Sequence, residues 1–165
     1  KQVIKYFKDK KFDAMGIGSF GPINPIKSTE KYGYILKTPK AHWSNYDILG
    51  ELKKHFDVPM EFDTDVNGAA LAESWIGAGE GLKNVMYITV GTGIGAGAVV
   101  DGKMLHGLSH PEMGHINVKR HSQDNYEGKC PFHKDCLEGL AAGPAIEARW
   151  GKKLMSWKKR ILYGT

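Results

Sequence analysis

The chain has 165 residues, 41% hydrophobic, 25% charged and 10% aromatic, enough for one ordinary core or two small ones, and not the composition of a disordered chain. Net charge is +5, with the excess at the ends: five lysines against one aspartate in residues 1–11, then Lys152, Lys153, Lys158, Lys159 and Arg160 without an acid between them. Such runs read as solvated faces; no basic–aromatic alternation marks a single-strand platform, no apolar run reaches the roughly 18 residues of a membrane span, and two cysteines are too few for a disulfide scaffold. The opening KQVIKYFKDK holds no apolar signal core, so the expected setting is cytoplasmic, with neither membrane nor nucleic acid as partner.

In chain order, residues 1–11 predict a helix and 12–18 a short strand that runs into a Gly/Pro loop. Residues 19–43 carry turns and aromatics without periodicity. SNYDILGELKKHF, 44–56, predicts an amphipathic helix with Ser44 or Asn45 as N-cap. VPMEFDTD is a strand ending in acids, and VNGAALAESWIGAG an alanine-rich helix closed by glycines. A hairpin is expected over 85–91 and 95–100, with a second turn at Asp101-Gly102. Residues 107–136 are loop-like, and CLEGLAAGPAIEARWG opens a final helix. Strands alternating with helices indicate an α/β class.

Four stretches could carry chemistry. TVGTGIGAG places Gly91, Gly93, Gly95 and Gly97 at alternate positions, so backbone N–H groups could close around phosphate oxygens with Thr92 adding a hydroxyl. No Lys-Ser/Thr follows, as a Walker loop requires, and a strand follows where the dinucleotide fingerprint has a helix. A tight hairpin needing positive φ is the competing reading. In EFDTDVNGAALAE, Asp63 and Asp65 stand at a strand end before a helix, where ligands gather in α/β folds. Asp65 could accept a proton from a substrate hydroxyl, the two acids could hold a metal, or Asp65 or Asn67 could simply cap the helix. In HPEMGHI, Glu112 and His115 could bind ligand hydroxyls, and His115 could ligate metal; surface placement is the alternative. Cys130, His133 and Cys136 form C-x2-H-x2-C, three soft or borderline ligands. Zinc wants four, and His115 is the nearest fourth, with His110 and His121 behind it. A disulfide or two free thiols would be the other outcomes.

Taken in order, GIGSFGPI, DTDVNGAALAE, TVGTGIGAG, HPEMGHI and CPFHKDCLEGLAAGPAI resemble the ROK sugar kinases over residues 12–152. The details look closest to bacterial ROK fructokinases, with SFGPI in the first loop and C-x2-H-x2-C where relatives have three cysteines. The resemblance implies an actin-like ATPase (ribonuclease H-like) α/β fold of two lobes with ATP and sugar in the cleft. It implies ATP-dependent phosphorylation of a hexose, most simply fructose to fructose 6-phosphate. Glucose, mannose and amino sugars are alternative substrates within the family, and a sugar-sensing transcriptional repressor of the same family is the alternative from another class.

By the same resemblance, Asp65 is the catalytic base. Gly91, Thr92, Gly93 and Gly95 are the ATP phosphate loop, while Thr64, Glu112, His115 and Glu138 contact the sugar. His115, Cys130, His133 and Cys136 hold a structural zinc, Mg2+ accompanies ATP, and the whole protein is a homodimer. Asp63-Thr64 stands where many relatives have Glu-Asn, and Thr64 offers one donor against an amide's two. The lobes are expected to divide at 64/65: residues 1–64 belong to the N-terminal lobe, and 65–152 start the C-terminal lobe with a zinc loop at 107–138. The family's Asp-x-Gly-x-Thr phosphate hairpin and its C-terminal adenosine segment are not within these residues, so the chain is expected to be an incomplete kinase that binds ATP poorly by itself. Residues 153–165 are atypical. Codons for KLMSWKKRILYGT can be chosen so that a shifted frame reads AYELEKEDSVWD, which makes the tail a candidate out-of-frame segment.

Overall fold

Lysines 1, 5, 8 and 11 stand three or four residues apart, the spacing at which like charges oppose one another on a helix. The opening helix, α1 (Gln2–Phe7), is correspondingly short, lacks a side-chain cap and buries nothing. The computed structural model describes residues 1–152; the atypical tail 153–165 and its reading frame lie outside the described residues.

Strand β1 (Met15–Ser19) comes next, followed by β2 (Tyr34–Ile35) and β3 (Tyr46–Asp47), which pair antiparallel. Helix α2 (Ile48–Lys53) begins later than residue 44. Asn45 has left-handed backbone (φ 56), and the Ser44 hydroxyl is engaged with the Thr38 backbone. Asp47 is the cap instead, accepting from the Gly50 N–H at 2.7 Å. Strand β4 (Met60–Thr64) lies parallel to β1, with Gly18 opposite Asp63 and Ser19 opposite Thr64. Its alternation buries Met60, Phe62 and Thr64 and turns Glu61 and Asp63 outward. Met60 and Phe62 join Ile23, Ile35, Leu49 and Leu52 in the main apolar core.

Helix α3 (Asp65–Ile76) starts immediately after the last residue of β4, and Thr64 caps it by accepting from the Asn67 N–H at 3.1 Å. The expected hairpin is present as β5 (Val85–Val90) and β6 (Ile94–Val100), with β7 (Lys103–Met104) beyond them in the order β5-β6-β7. Asp101 and Gly102 turn between β6 and β7 in left-handed conformation (φ 49 and 76). The loop-like region holds one 3-10 turn, Met113–His115.

The predicted final helix is two helices, α4 (Leu137–Ala141) and α5 (Gly143–Trp150), broken at Ala142, where ψ is 164°. Pro144 explains the break, because it has no N–H to give and its ring crowds the preceding turn. The Gly143 N–H turns away to the Gly91 carbonyl at 2.7 Å.

The chain forms two compact units, Lys1–Tyr87 with Gly97–Pro111, and Ile88–Ala96 with the described residues from Glu112 onward. The chain passes between them at 87/88 inside β5, at 96/97 inside β6 and at 111/112 in the loop that follows β7. Helix α3 packs on β1 and β4 within the first unit. No helix of the described residues is long and apolar enough to cross a membrane.

Candidate functional site

In the first unit, β4 ends and α3 begins without an intervening loop, so Asp65 is the first helical residue and its side chain is exposed. Such a position suits a carboxylate, because the free N–H groups of a first helical turn stabilise negative charge. One Asp65 oxygen accepts from the Val66 N–H at 2.9 Å. Gly18 makes room for this turn: a Cβ there would lie 3.2 Å from the Asp65 Cα. Thr64 is buried, and its hydroxyl oxygen is engaged as the helix cap.

Asp63 does more than capping logic suggests. One of its oxygens accepts from the Thr64 N–H (2.7 Å) and the Asn67 amide (3.0 Å), and the other lies 2.6 Å from His106 Nε2. Asn67, 1% exposed, also donates to the Leu105 carbonyl and accepts from the Ala98 N–H, each at 3.2 Å. Asn67 is thus more than a candidate helix cap, and His106 belongs to none of the sequence motifs. A lone amide within an alanine-rich helix was the available signal, since a buried amide needs partners on both its ends. A cleft of about 470 Å³ is lined by Gly16, Gly18, Asp63, Thr64, Gly68 and His106.

Gly91, Gly93 and Gly95 lie in the second unit and Gly97 in the first; none has positive φ, so the hairpin does not need the left-handed glycines expected of it. Gly93 lies close under the end of the Glu138 side chain, where a Cβ would be 2.6 Å from a carboxylate oxygen. That same oxygen accepts from the Ile94 N–H at 2.9 Å. Glu138 thus reaches the backbone of the glycine stretch from the start of α4. Thr92 and Glu138 face a hollow of about 140 Å³, shared with Lys129, Cys130, Ala142 and Pro144. Gly91 is fixed on both sides, donating to the Gly93 carbonyl (2.8 Å) and accepting from Gly143. Gly95 follows in β6, half-buried.

Glu112 precedes the 3-10 turn, with its carbonyl accepting from the His115 N–H at 3.0 Å. His115 Nδ1 points between the two cysteines, 3.6 Å from Sγ of Cys130 and 3.6 Å from Sγ of Cys136. His133 Nδ1 lies 4.0 Å from the Cys130 sulfur. The ligand atoms of His115, Cys130, His133 and Cys136 all lie within 4.8 Å of one another. Tetrahedral coordination, with metal–sulfur about 2.3 Å and metal–nitrogen about 2.0 Å, separates N from S by about 3.5 Å, so this donor set fits a metal of borderline softness. Both cysteines are buried free thiols, which sets the disulfide aside. His115 is the fourth member, while His121 Nδ1 accepts from the Gln123 N–H elsewhere in the loop. Burial pushes the Cys136 thiol up from its ordinary value, and the Cys130 thiol beside it adds to the rise. A divalent cation reverses that preference by binding thiolates, so such a site loads with release of protons.

The loop before the cluster is tied to α5. Arg149 makes a bidentate pair with Asp124 (3.1 and 2.8 Å), and Arg120 donates to the Asp124 carbonyl at 2.9 Å and to the Tyr126 carbonyl. The Arg149 hydrogen bonds, with help from the Tyr126 N–H, hold the Asp124 carboxyl down to about 2. A carboxyl depressed on folding contributes stability above its unfolded pKa, and that contribution fades as pH falls from about 4 toward the folded value. We therefore expect Asp124→Asn to flatten the dependence of the thermal midpoint on pH between about 4 and 2. An unchanged slope in that window would show that the pair contributes nothing to folding.

Comparison with known proteins follows the same residues. A model of the ROK family matches residues 2–163. The chain is 50% identical over 151 residues to the fructokinase of Lactococcus lactis subsp. cremoris, covering 91% of this chain and 51% of that protein. It is also 50% identical over 155 residues to the fructokinase of Zymomonas mobilis, covering 93% and 51%. Among solved structures, it matches a ROK family glucokinase from Streptomyces griseus, solved in complex with glucose and AMPPNP. The TM-score is 0.67 at 26% identity, covering 89% of this chain and 47% of that one. The chain spans about half the length of the curated relatives it matches. The expected fold class stands as a partial α/β form of the actin-like ATPase fold. On the extent of the family match and the order of its motifs, the chain belongs to the ROK family.

Proposed function

We propose that this chain is part of an ATP-dependent hexose kinase that converts fructose to fructose 6-phosphate in the cytoplasm. The observation that carries the reading is the placement of Asp65, an exposed carboxylate at the carboxyl end of β4 and the first residue of α3. Asp65 takes the proton of the sugar hydroxyl as that oxygen bonds to the γ-phosphorus; the bond from that phosphorus to the bridging β–γ oxygen breaks, and ADP leaves. Phosphoryl transfer asks mainly for positioning and neutralisation of charge, so a carboxylate of ordinary basicity suffices. In the stretch of Gly91, Thr92, Gly93 and Gly95, the Thr92 hydroxyl and the N–H groups not already bonded within the unit receive the phosphates, since Gly91 N–H and Ile94 N–H are engaged. Glu112, His115 and the second Glu138 oxygen receive sugar hydroxyls. Mg2+ bound to ATP supplies charge neutralisation.

In the same reading the ion of the His/Cys cluster is zinc, and its task is structural: His115, Cys130, His133 and Cys136 fill four positions and leave none open. With Nδ1 turned to the sulfurs, His115 keeps its Nε2 edge for the sugar, and the metal fixes the turn that Glu112 opens. The complete protein is a homodimer with a hexose and ATP as its substrates.

The test is ATP-dependent phosphorylation of fructose, mannose, glucose and N-acetylglucosamine by the full-length protein, with Asp65→Asn alongside. We expect fructose turnover, reduced about 10²–10⁴-fold in the variant. Turnover of another hexose alone would reassign the substrate. No turnover of any sugar, with the fold intact and metal bound, would favour the repressor reading. Metal analysis should find about one zinc per chain, lost in Cys136→Ser and released from the wild type as falling pH protonates the thiolates. Full folding stability after chelation would contradict a structural zinc.

A further inference from the structure

The contacts that surround Asp63 are not needed to cap a helix. Thr64 already supplies the cap, through its hydroxyl and the Asn67 N–H. Yet the Asp63 carboxylate, 12% exposed in its side chain, gathers three donors from three directions. The Thr64 N–H comes from the residue just before Asp65, the Asn67 amide from the first turn of α3, and the His106 ring from the segment after β7. A carboxylate only accepts, so the His106 Nε2 facing it at 2.6 Å carries the proton. Asn67 adds a second link to the same distant segment through the Leu105 carbonyl, and a third to β6 through the Ala98 N–H. Every one of these bonds flanks Asp65 in sequence, and none engages its carboxylate.

Resting on the kinase reading above, we propose that Asp63 and His106 are a positioning pair for Asp65. The pair clamps the peptide on one side of the base, as Asn67 clamps the helical turn on the other, so the exposed Asp65 side chain projects from a fixed backbone. Displacing a reacting group by about 1 Å costs about 10²-fold in rate, so this clamp acts on turnover more than on affinity. Asp63 and His106 touch no substrate in this account, and their effect passes through the backbone of Asp65.

The experiment uses the full-length, zinc-loaded protein with fructose and ATP, comparing wild type, His106→Ala, His106→Gln and Asp65→Asn. Amide hydrogen exchange over residues 63–68 is followed in each. The glutamine side-chain N–H reaches about as far as His Nε2 and can still donate to Asp63. We expect His106→Ala to lower kcat at least tenfold, with KM for both substrates within about threefold, and to speed exchange over 63–68. His106→Gln should recover most of the turnover and the protection. Wild-type kcat and protection in His106→Ala would overturn the pair. So would a loss confined to the thermal midpoint or to KM, or one that glutamine does not rescue. Failure of the kinase reading has a different signature. Wild type that phosphorylates no sugar, or Asp65→Asn that turns over normally, removes the base and the positioning effect on turnover with it. Exchange in His106→Ala then decides whether the clamp exists at all.

Discussion

A β-strand that passes directly into an α-helix has to satisfy the first free N–H groups of the helix while changing backbone conformation within one residue. At Thr64–Asp65 the chain does this with groups brought from elsewhere. The Thr64 hydroxyl caps, Asp63 takes the Thr64 N–H, and the buried Asn67 amide anchors the turn to β6 and to the segment beyond β7. The cost of burying an amide is met because both ends are bonded, and removing any one partner would strand the others. The position of Asp65 depends on this junction, and Gly18 of β1 is small enough to let it form.

The second unit follows a different logic. Loop-like sequence between Glu112 and Cys136 has little apolar material to bury, so its order comes from polar and soft ligands. Four ligand atoms converge at the His/Cys cluster, and the Arg149–Asp124 pair ties the preceding loop to α5. The break at Ala142 belongs to the same arrangement. It frees the Gly143 N–H for the Gly91 carbonyl, while Glu138, one turn earlier, holds the Ile94 N–H. The glycine stretch is thus held by groups from both short helices.

Much of this was legible in the residues. Five ordered motifs carried the family resemblance, and C-x2-H-x2-C with His115 named the four members of the cluster before any geometry was known. The Asp-Gly turn between β6 and β7 followed from turn chemistry alone. The break in the last helix was signalled by Pro144, and a breaker inside a helical pattern should have ended the prediction there. The contacts of Asn67 and His106 were not readable, because they join residues more than thirty positions apart through a register that single-sequence periodicity does not encode. The cap of α2 differs for a local reason: Asn45 adopts left-handed backbone, and the two-residue strand Tyr46–Asp47 follows, whose second residue is the cap. The compact units were also not marked, since two of the three passages lie within β-strands and the third falls in a long loop-like stretch.

The central claim is that Asp65 serves the chemistry and not the binding. It is tested most directly by titrating fructose into the full-length Asp65→Asn protein in the presence of a non-hydrolysable ATP analogue and comparing calorimetric affinity with wild type. The account predicts affinities within a few-fold of each other, because the sugar contacts it proposes are those of Glu112, His115 and Glu138. Loss of fructose binding in the variant would contradict it and make Asp65 a sugar ligand instead of a base.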